Sequence, residues 1–119
     1  MKQDRHIHLT FANAVPGMEH EFDEWYDHEH IPDLLRIPGY LRAQRYKLSE
    51  VQKQPTPPPT HRQLIIYELE GDPSRIIEAT VAAREARLIT RNASLAGDSF
   101  GWLYTRVFDL DRSALERGA

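Results

Sequence analysis

The chain opens on a two-residue alternation. Ile7, Leu9 and Phe11 are apolar, while His6, His8 and Thr10 between them are polar. That period marks a strand with two unlike faces. After the loop at residues 13–17 the period lengthens, and Met18, Phe22, Trp25 and Tyr26 fall on one helical stripe. Pro32 has no amide donor and disfavours helical geometry at Ile31, which predicts a bend or restart and a short turn over 33–36. Pro38 and Gly39 form a turn. Tyr40 to Leu48 reads as a second strand. Gln63 to Leu69 reads as a third, nearly continuous in apolar residues, as if covered on both faces. Between them, residues 49–60 hold Pro55, Pro57, Pro58 and Pro59 and predict an extended surface loop. Asp72 caps a second helix and Pro73 suits its first turn. Ile76, Ile77, Ala79, Thr80, Ala83 and Ala86 form its expected buried side, and it ends between Arg87 and Gly97. Phe100 to Phe108 reads as the last strand, and a polar tail starts at Arg112.

Strand, helix, strand, strand, helix, strand is the order of an α+β, ferredoxin-like βαββαβ fold. It predicts a four-stranded antiparallel sheet with two helices on one face, in a single domain over residues 1–119. The last strand carries Phe100, Trp102, Tyr104 and Phe108 on one parity and Leu103 and Val107 on the other. Two helices cover only one face of such a sheet. A bare apolar face is an association surface, so a homodimer packed sheet against sheet is expected.

Charge and composition narrow the partners. Lysine and arginine number 15 against 18 acidic residues, a net charge of −3 that offers no basic surface for nucleic acid. No apolar run reaches the ~18–20 residues of a membrane span. The first residues, Met1 to His6, lack the apolar core of a secretion signal. Cysteine is absent, which removes thiolate nucleophiles and Cys-ligated zinc and fits a cytoplasmic location.

The candidate chemistry lies between Glu21 and Tyr40. His30 follows Tyr26 by four residues, on the same side of a persistent helix. An imidazole there can move protons near neutrality, or it can simply cap the helix C-terminus. Tyr26 can orient a substrate oxygen. Trp25 suits core packing with its indole N–H satisfied. His20, Glu24 and His28 share a face opposite Phe22 and read as a solvated face; no HExxH spacing occurs. His8 partners His30 if its strand face meets helix one, and is structural if that face lies in the dimer seam. Arg45 needs a carboxylate, for which Asp33 or Glu29 is available, or a ligand anion. No nucleophile-elbow serine or phosphate-binding glycine loop is present.

The pattern Phe22-x-x-Trp25-Tyr26-Asp27-x-x-His30-Ile31-Pro32-Asp33, followed by Pro38-Gly39-Tyr40, resembles the EthD-like branch of the dimeric α+β barrel superfamily. The resemblance implies a ligand pocket between sheet and helices, with His30 facing it from the end of helix one. It implies small enzymes without a metal or organic cofactor, although the superfamily also includes haem-binding members. The Pro-rich segment between strands two and three departs from the pattern. The expected function is cofactor-independent proton transfer on a small hydrophobic, oxygenated catabolite, by decarboxylation, dehydration, isomerisation or oxygenation. His30, Tyr26 and His8 are the expected catalytic residues. Trp25, Phe22, Arg45 and Trp102 are the expected substrate contacts, and no metal ligand is expected. The alternative is a non-catalytic module that binds a small ligand or haem.

Overall fold

The chain runs β1 (Arg5–Ala12), α1 (Glu19–Trp25), a π-helical turn (Tyr26–His30), α2 (Ile31–Leu35), β2 (Tyr40–Lys47), β3 (Gln63–Glu70), α3 (Pro73–Glu85), β4 (Phe100–Thr105) and α4 (Arg112–Arg117). The computed structural model describes residues 4–54 and 57–118. Met1, Lys2 and Gln3 of the N-terminus and Pro55 of the Pro-rich segment lie outside the described residues.

The strands pair in the order β2-β3-β1-β4, every neighbour antiparallel. With two crossover helical segments on one face, this is the ferredoxin-like α+β fold. The register fixes which side chains share a face. His8 stands opposite Tyr67 on β3 and Leu103 on β4, and Thr10 stands opposite Ile65 and Gly101. His6, His8, Thr10 and Ala12 therefore point to the helices, with Gln63, Ile65, Tyr67 and Leu69. A register shift between Tyr40 and Arg42 on β2 leaves Ala43 and Arg45 opposite Tyr67 and Ile65, on that same face.

The core lies between this face and the helices. Ile65, Tyr67 and Leu69 meet Phe22, Trp25, Tyr26, Leu34, Ile37 and Ile76, all buried. Each such side chain contributes about 1.5–3 kcal/mol on burial. The other face is open: Phe100, Trp102, Tyr104 and Tyr46 are exposed there, beside the half-buried Ile7, Leu9, Phe11, Leu64 and Ile66. Double-sided cover of β3, expected from its sequence, is thus absent within one chain. Its apolar character on the open side is what remains to be covered.

Four local expectations need correction. A short α segment restarts around Pro32 as expected, with the proline in its first turn, but Ile31 keeps right-handed helical angles, and the interruption is a π turn upstream instead of a break. The last strand ends at Thr105, because β1 begins at Arg5 and the final pairing bond is Arg106 N–H to the Arg5 carbonyl; Val107 and Phe108 are exposed. The tail forms α4, capped by Asp111, whose carboxylate accepts from the Ala114 N–H. On α3, Ile76 and Ala83 are buried but Ile77 and Ala86 are exposed. That helix starts as expected, with Asp72 accepting from the Ser74 N–H. It ends at Glu85, short of the expected range from Arg87 to Gly97, and Arg87 follows with a φ of 59° in the left-handed region. There the Arg87 and Leu88 amides donate to the carbonyls of Arg84 and Ala83, closing the helix without glycine.

Candidate functional site

A cavity of about 700 Å³ opens between the sheet and the helices. His8, Thr10 and Tyr67 form its floor. Trp25, Tyr26 and His30 form one wall, α3 forms another through Thr80 and Arg84, and residues 89–97 close the rim.

The π turn sets the direction of His30. On a uniform helix of 100° per residue, His30 would stand about 80° and Leu34 about 120° away from Phe22. The Ile31 amide instead donates to the Tyr26 carbonyl, five residues back, so one surplus residue is absorbed. That rotates everything downstream by about 100°, leaving His30 and Leu34 within about 20° of Phe22. Pro32 supplies a physical reason for the widening. Its ring would press on the carbonyl four residues before it in a regular helix. The surplus falls on Asp27, His28 and Glu29, all exposed. His30 packs against Trp25 and Tyr26, with ring centres 4.7 and 4.8 Å away.

Thr90 fastens the wall to the rim. Its carbonyl lies 3.3 Å from His30 Nδ1, its hydroxyl accepts from the Trp25 indole N–H at 3.2 Å, and its amide donates to Asp33 at 2.9 Å. A carbonyl only accepts, so His30 Nδ1 carries the proton and the neutral ring leaves Nε2 bare. Burial holds the His30 pKa below 6.5, against the raising effects of the Thr90 bond and Asp33. Nothing in its local sequence marks Thr90, a lone threonine in the long segment after α3; its role exists only through contacts some sixty residues away.

Three tyrosines face these histidines. Thr80 donates to the Ile76 carbonyl, so it accepts from the Tyr40 hydroxyl at 3.0 Å. Burial pushes Tyr26 up to about 12 and raises Tyr67 further, so both phenols stay protonated donors at neutral pH. Tyr67 is 2% exposed, and its hydroxyl has no well-formed hydrogen bond. The Tyr26 hydroxyl is close enough to help raise its pKa, through a contact that falls short of a well-formed hydrogen bond. An unsatisfied buried hydroxyl costs about 1–3 kcal/mol, a cost a ligand oxygen would remove.

His8 and His6 part company. His6 is buried and bound on both sides, with Nε2 donating to the Gly71 carbonyl and Nδ1 meeting the Thr105 hydroxyl, each at 2.9 Å. It joins β1 to β4 and to the turn before α3. His8 lines the cavity, and burial, then the Arg84 charge, hold its pKa below 6.5. Its ring lies over Gly101, where an added Cβ would come within 2.7 Å of both His8 Cε1 and the Leu9 carbonyl oxygen. Gly101→Ala is therefore expected to displace the His8 ring and to cost about 1–3 kcal/mol. Histidine ring-proton NMR signals and a denaturant melt check this; unchanged His8 signals would contradict it.

Of the expected substrate contacts, only Trp25 lines the cavity. Phe22 is fully buried beneath Trp25 and Tyr26 and belongs to the core. Trp102 lies on the open face and is 61% exposed. Arg45 is taken up by neither Asp33 nor Glu29 but by Asp27, through two bonds of 2.7 and 2.9 Å, with Asp23 and Gln63 completing its shell. It clamps the π turn to β2. His28 pairs with Glu24 on the exposed side of the helix at 3.7 Å.

No family model matches this chain, and no curated protein sequence is significantly similar to it. Solved structures resemble it in fold. A candidate monooxygenase from Shewanella loihica PV-4 superposes with a TM-score of 0.63 at 15% identity, over 92% of this chain and all of the other. The heme-degrader MhuD from Mycobacterium tuberculosis, with two hemes bound in its active site, gives 0.62 at 16%, over 89% of this chain and 99% of its own. A candidate antibiotic biosynthesis monooxygenase from Nitrosomonas europaea gives 0.58 at 12%, over 91% and 95%. At such identities the likeness establishes the shared ferredoxin-like fold.

Proposed function

We propose that the chain is a small cofactor-independent enzyme that moves a proton on a small hydrophobic, oxygenated catabolite. One observation carries the reading: His30 presents a bare, neutral Nε2 in a half-apolar cavity while its Nδ1 is held by the Thr90 carbonyl. In this reading Nε2 takes a proton from the substrate. The Tyr26 and Tyr67 hydroxyls donate to the substrate oxygen on which negative charge builds, where fixed donors are most effective. His8, neutral on the floor, holds or returns the proton. Loss of water, a proton shift, or capture of the carbanion by dioxygen start from that step; loss of carbon dioxide reaches the same charged oxygen by breaking the bond to a carboxylate, and a protonated histidine then delivers a proton to the carbon. The residue pattern around His30 supports an EthD-like affiliation, and the absence of cysteine suits a cytoplasmic setting. The open apolar face supports a homodimer.

The test is turnover of phenols, lactones and β-keto acids, followed by oxygen uptake and carbon dioxide release. Turnover is expected to have its acid limb in kcat/KM below pH 6.5 and to survive exhaustive chelation. Activity that disappears on chelation and returns with a metal would overturn the cofactor-free reading.

A second reading, haem binding, rests on the same bare Nε2. The donor set fits: His30 would hold the iron through Nε2, and the iron would supply oxygen activation. A Soret band shifted by wild-type protein, but not by a His30→Ala variant, would favour it over the first.

A further inference from the structure

The cavity is unbalanced in charge. Arg84 and Arg91 line it, and no aspartate or glutamate does. The strand arginines are matched: Arg5 pairs with Glu70, Arg42 with Glu68 and Arg45 with Asp27. Of the described arginines without such a pair, which include Arg62, Arg87, Arg112 and Arg117, Arg84 and Arg91 are the two that line the cavity. Among the described residues Arg84 and Arg91 form no ion pair with a carboxylate. Arg84 sits on the cavity side of α3, near enough to His8, His30 and Tyr40 for its charge to act on all three. At the floor, the buried Tyr67 hydroxyl lacks a partner. A guanidinium fork without a carboxylate at the mouth and an unsatisfied donor at the floor are complementary to one kind of molecule.

We propose that the cavity selects an apolar molecule bearing a carboxylate, gripped by Arg84 at the mouth while a second oxygen accepts from Tyr67 at the floor. This rests on the cavity reading above and names the substrate class within it. Arg84 is then the specificity residue. The grip would also remove part of the positive field that favours neutral His8 and His30, so ligand binding and histidine protonation are coupled. Arg91 lines the rim on the segment that Thr90 fastens and takes no part in the grip.

The shared chemistry, an apolar carboxylate, has two sources: a small aromatic acid or a porphyrin propionate. The experiment compares 2-naphthoate with 2-naphthamide, and haem with its dimethyl ester, on the whole chain. Binding is read by tryptophan quenching and by the ring-proton signals of His8 and His30. Wild-type protein is expected to prefer the carboxylate of at least one pair by roughly tenfold to a hundredfold, the range of one charge-assisted hydrogen bond. Arg84→Gln is expected to abolish that preference while keeping affinity for the neutral member. Arg75→Gln, on an arginine near Asp72 at the exposed start of α3, is expected to keep it. The pair that shows the preference identifies the source.

Equal binding of both members, with the histidine signals still perturbed, would overturn the inference and leave the cavity reading standing. A preference that persists in folded Arg84→Gln protein would likewise overturn it. If no probe perturbs His8 or His30, the inference fails together with the cavity reading. Arg84 is exposed, and a thermal melt of each variant confirms that it folds.

Discussion

Replacing His30 with alanine is expected to lower turnover by roughly 10²–10⁴-fold, the usual contribution of one positioned proton-transfer group. The structural cost is smaller. His30 loses its bond to the Thr90 carbonyl and its contacts with Trp25 and Tyr26, a loss of about 1–3 kcal/mol. The control is His28→Ala, two residues earlier, where an exposed pair with Glu24 contributes at most about 1 kcal/mol. Both variants should fold, and only His30→Ala should lose activity. If His30→Ala retains turnover, or fails to fold, the role assigned to it is wrong. The pH dependence has a defined sign. Folding holds the His30 and His8 pKa values below the 6.5 of a free imidazole. The unfolded chain therefore binds more protons as pH falls through that range. The contribution of these groups to stability is complete above about pH 6.5 and declines as pH falls towards their folded values. An acid melting series should show this slope, and it should shrink in His30→Ala.

Trp102→Glu is expected to dissociate the proposed homodimer, weakening association by about a thousandfold or more, because a buried tryptophan at a seam centre is commonly worth about 2–4 kcal/mol and a buried unpaired charge adds to that. The wild-type face presents Phe100, Trp102, Tyr104 and Tyr46 around half-buried Ile7, Leu9 and Ile66. Stable seams of this kind bury upwards of about 2,000 Å² in total. Sedimentation at micromolar concentration measures the effect. A wild-type chain that sediments as a well-folded monomer removes the premise. Trp102 lies outside the cavity, so the variant reports on association and not on ligand contact.

The elements were legible because each rests on a local period or on a residue with a fixed backbone preference. Alternation in β1, Asp72 and Pro73 at α3, and Pro38-Gly39 before β2 needed no tertiary information. The two-sided apolar character of the last strand announced the open face. Trp25 and Tyr26 were legible as members of one helical stripe, and His30 as lying four residues after Tyr26 on the same side; the π turn that swings His30 into line with Phe22 was not. Arg45 was misplaced because its partner depends on the π turn, which brings Asp27 over β2. Phe22 and Trp102 were misplaced because a stripe or parity gives a direction but not a depth, and not which side of the sheet is roofed. Thr90, Tyr67 and Arg84 could not be singled out at all. Their importance lies in pairings between segments far apart in the chain, or in a pairing that is missing.

The surplus residue in the helical turn bears on how this chain is laid beside others of its fold. A regular helix in a relative would be one residue shorter between Tyr26 and His30 while presenting the same face. Residue-by-residue correspondence therefore needs a one-position gap, placed within 27–29, where side chains are exposed. Without that gap, every position from His30 onward is matched to a neighbour pointing about 100° away. The counterpart of the candidate proton-transfer residue would then be sought on the wrong side of the helix. By the same geometry, deleting Glu29 should convert the π turn into a regular α turn and leave His30 aimed at the cavity, whereas inserting a residue between Phe22 and Trp25 should turn it away.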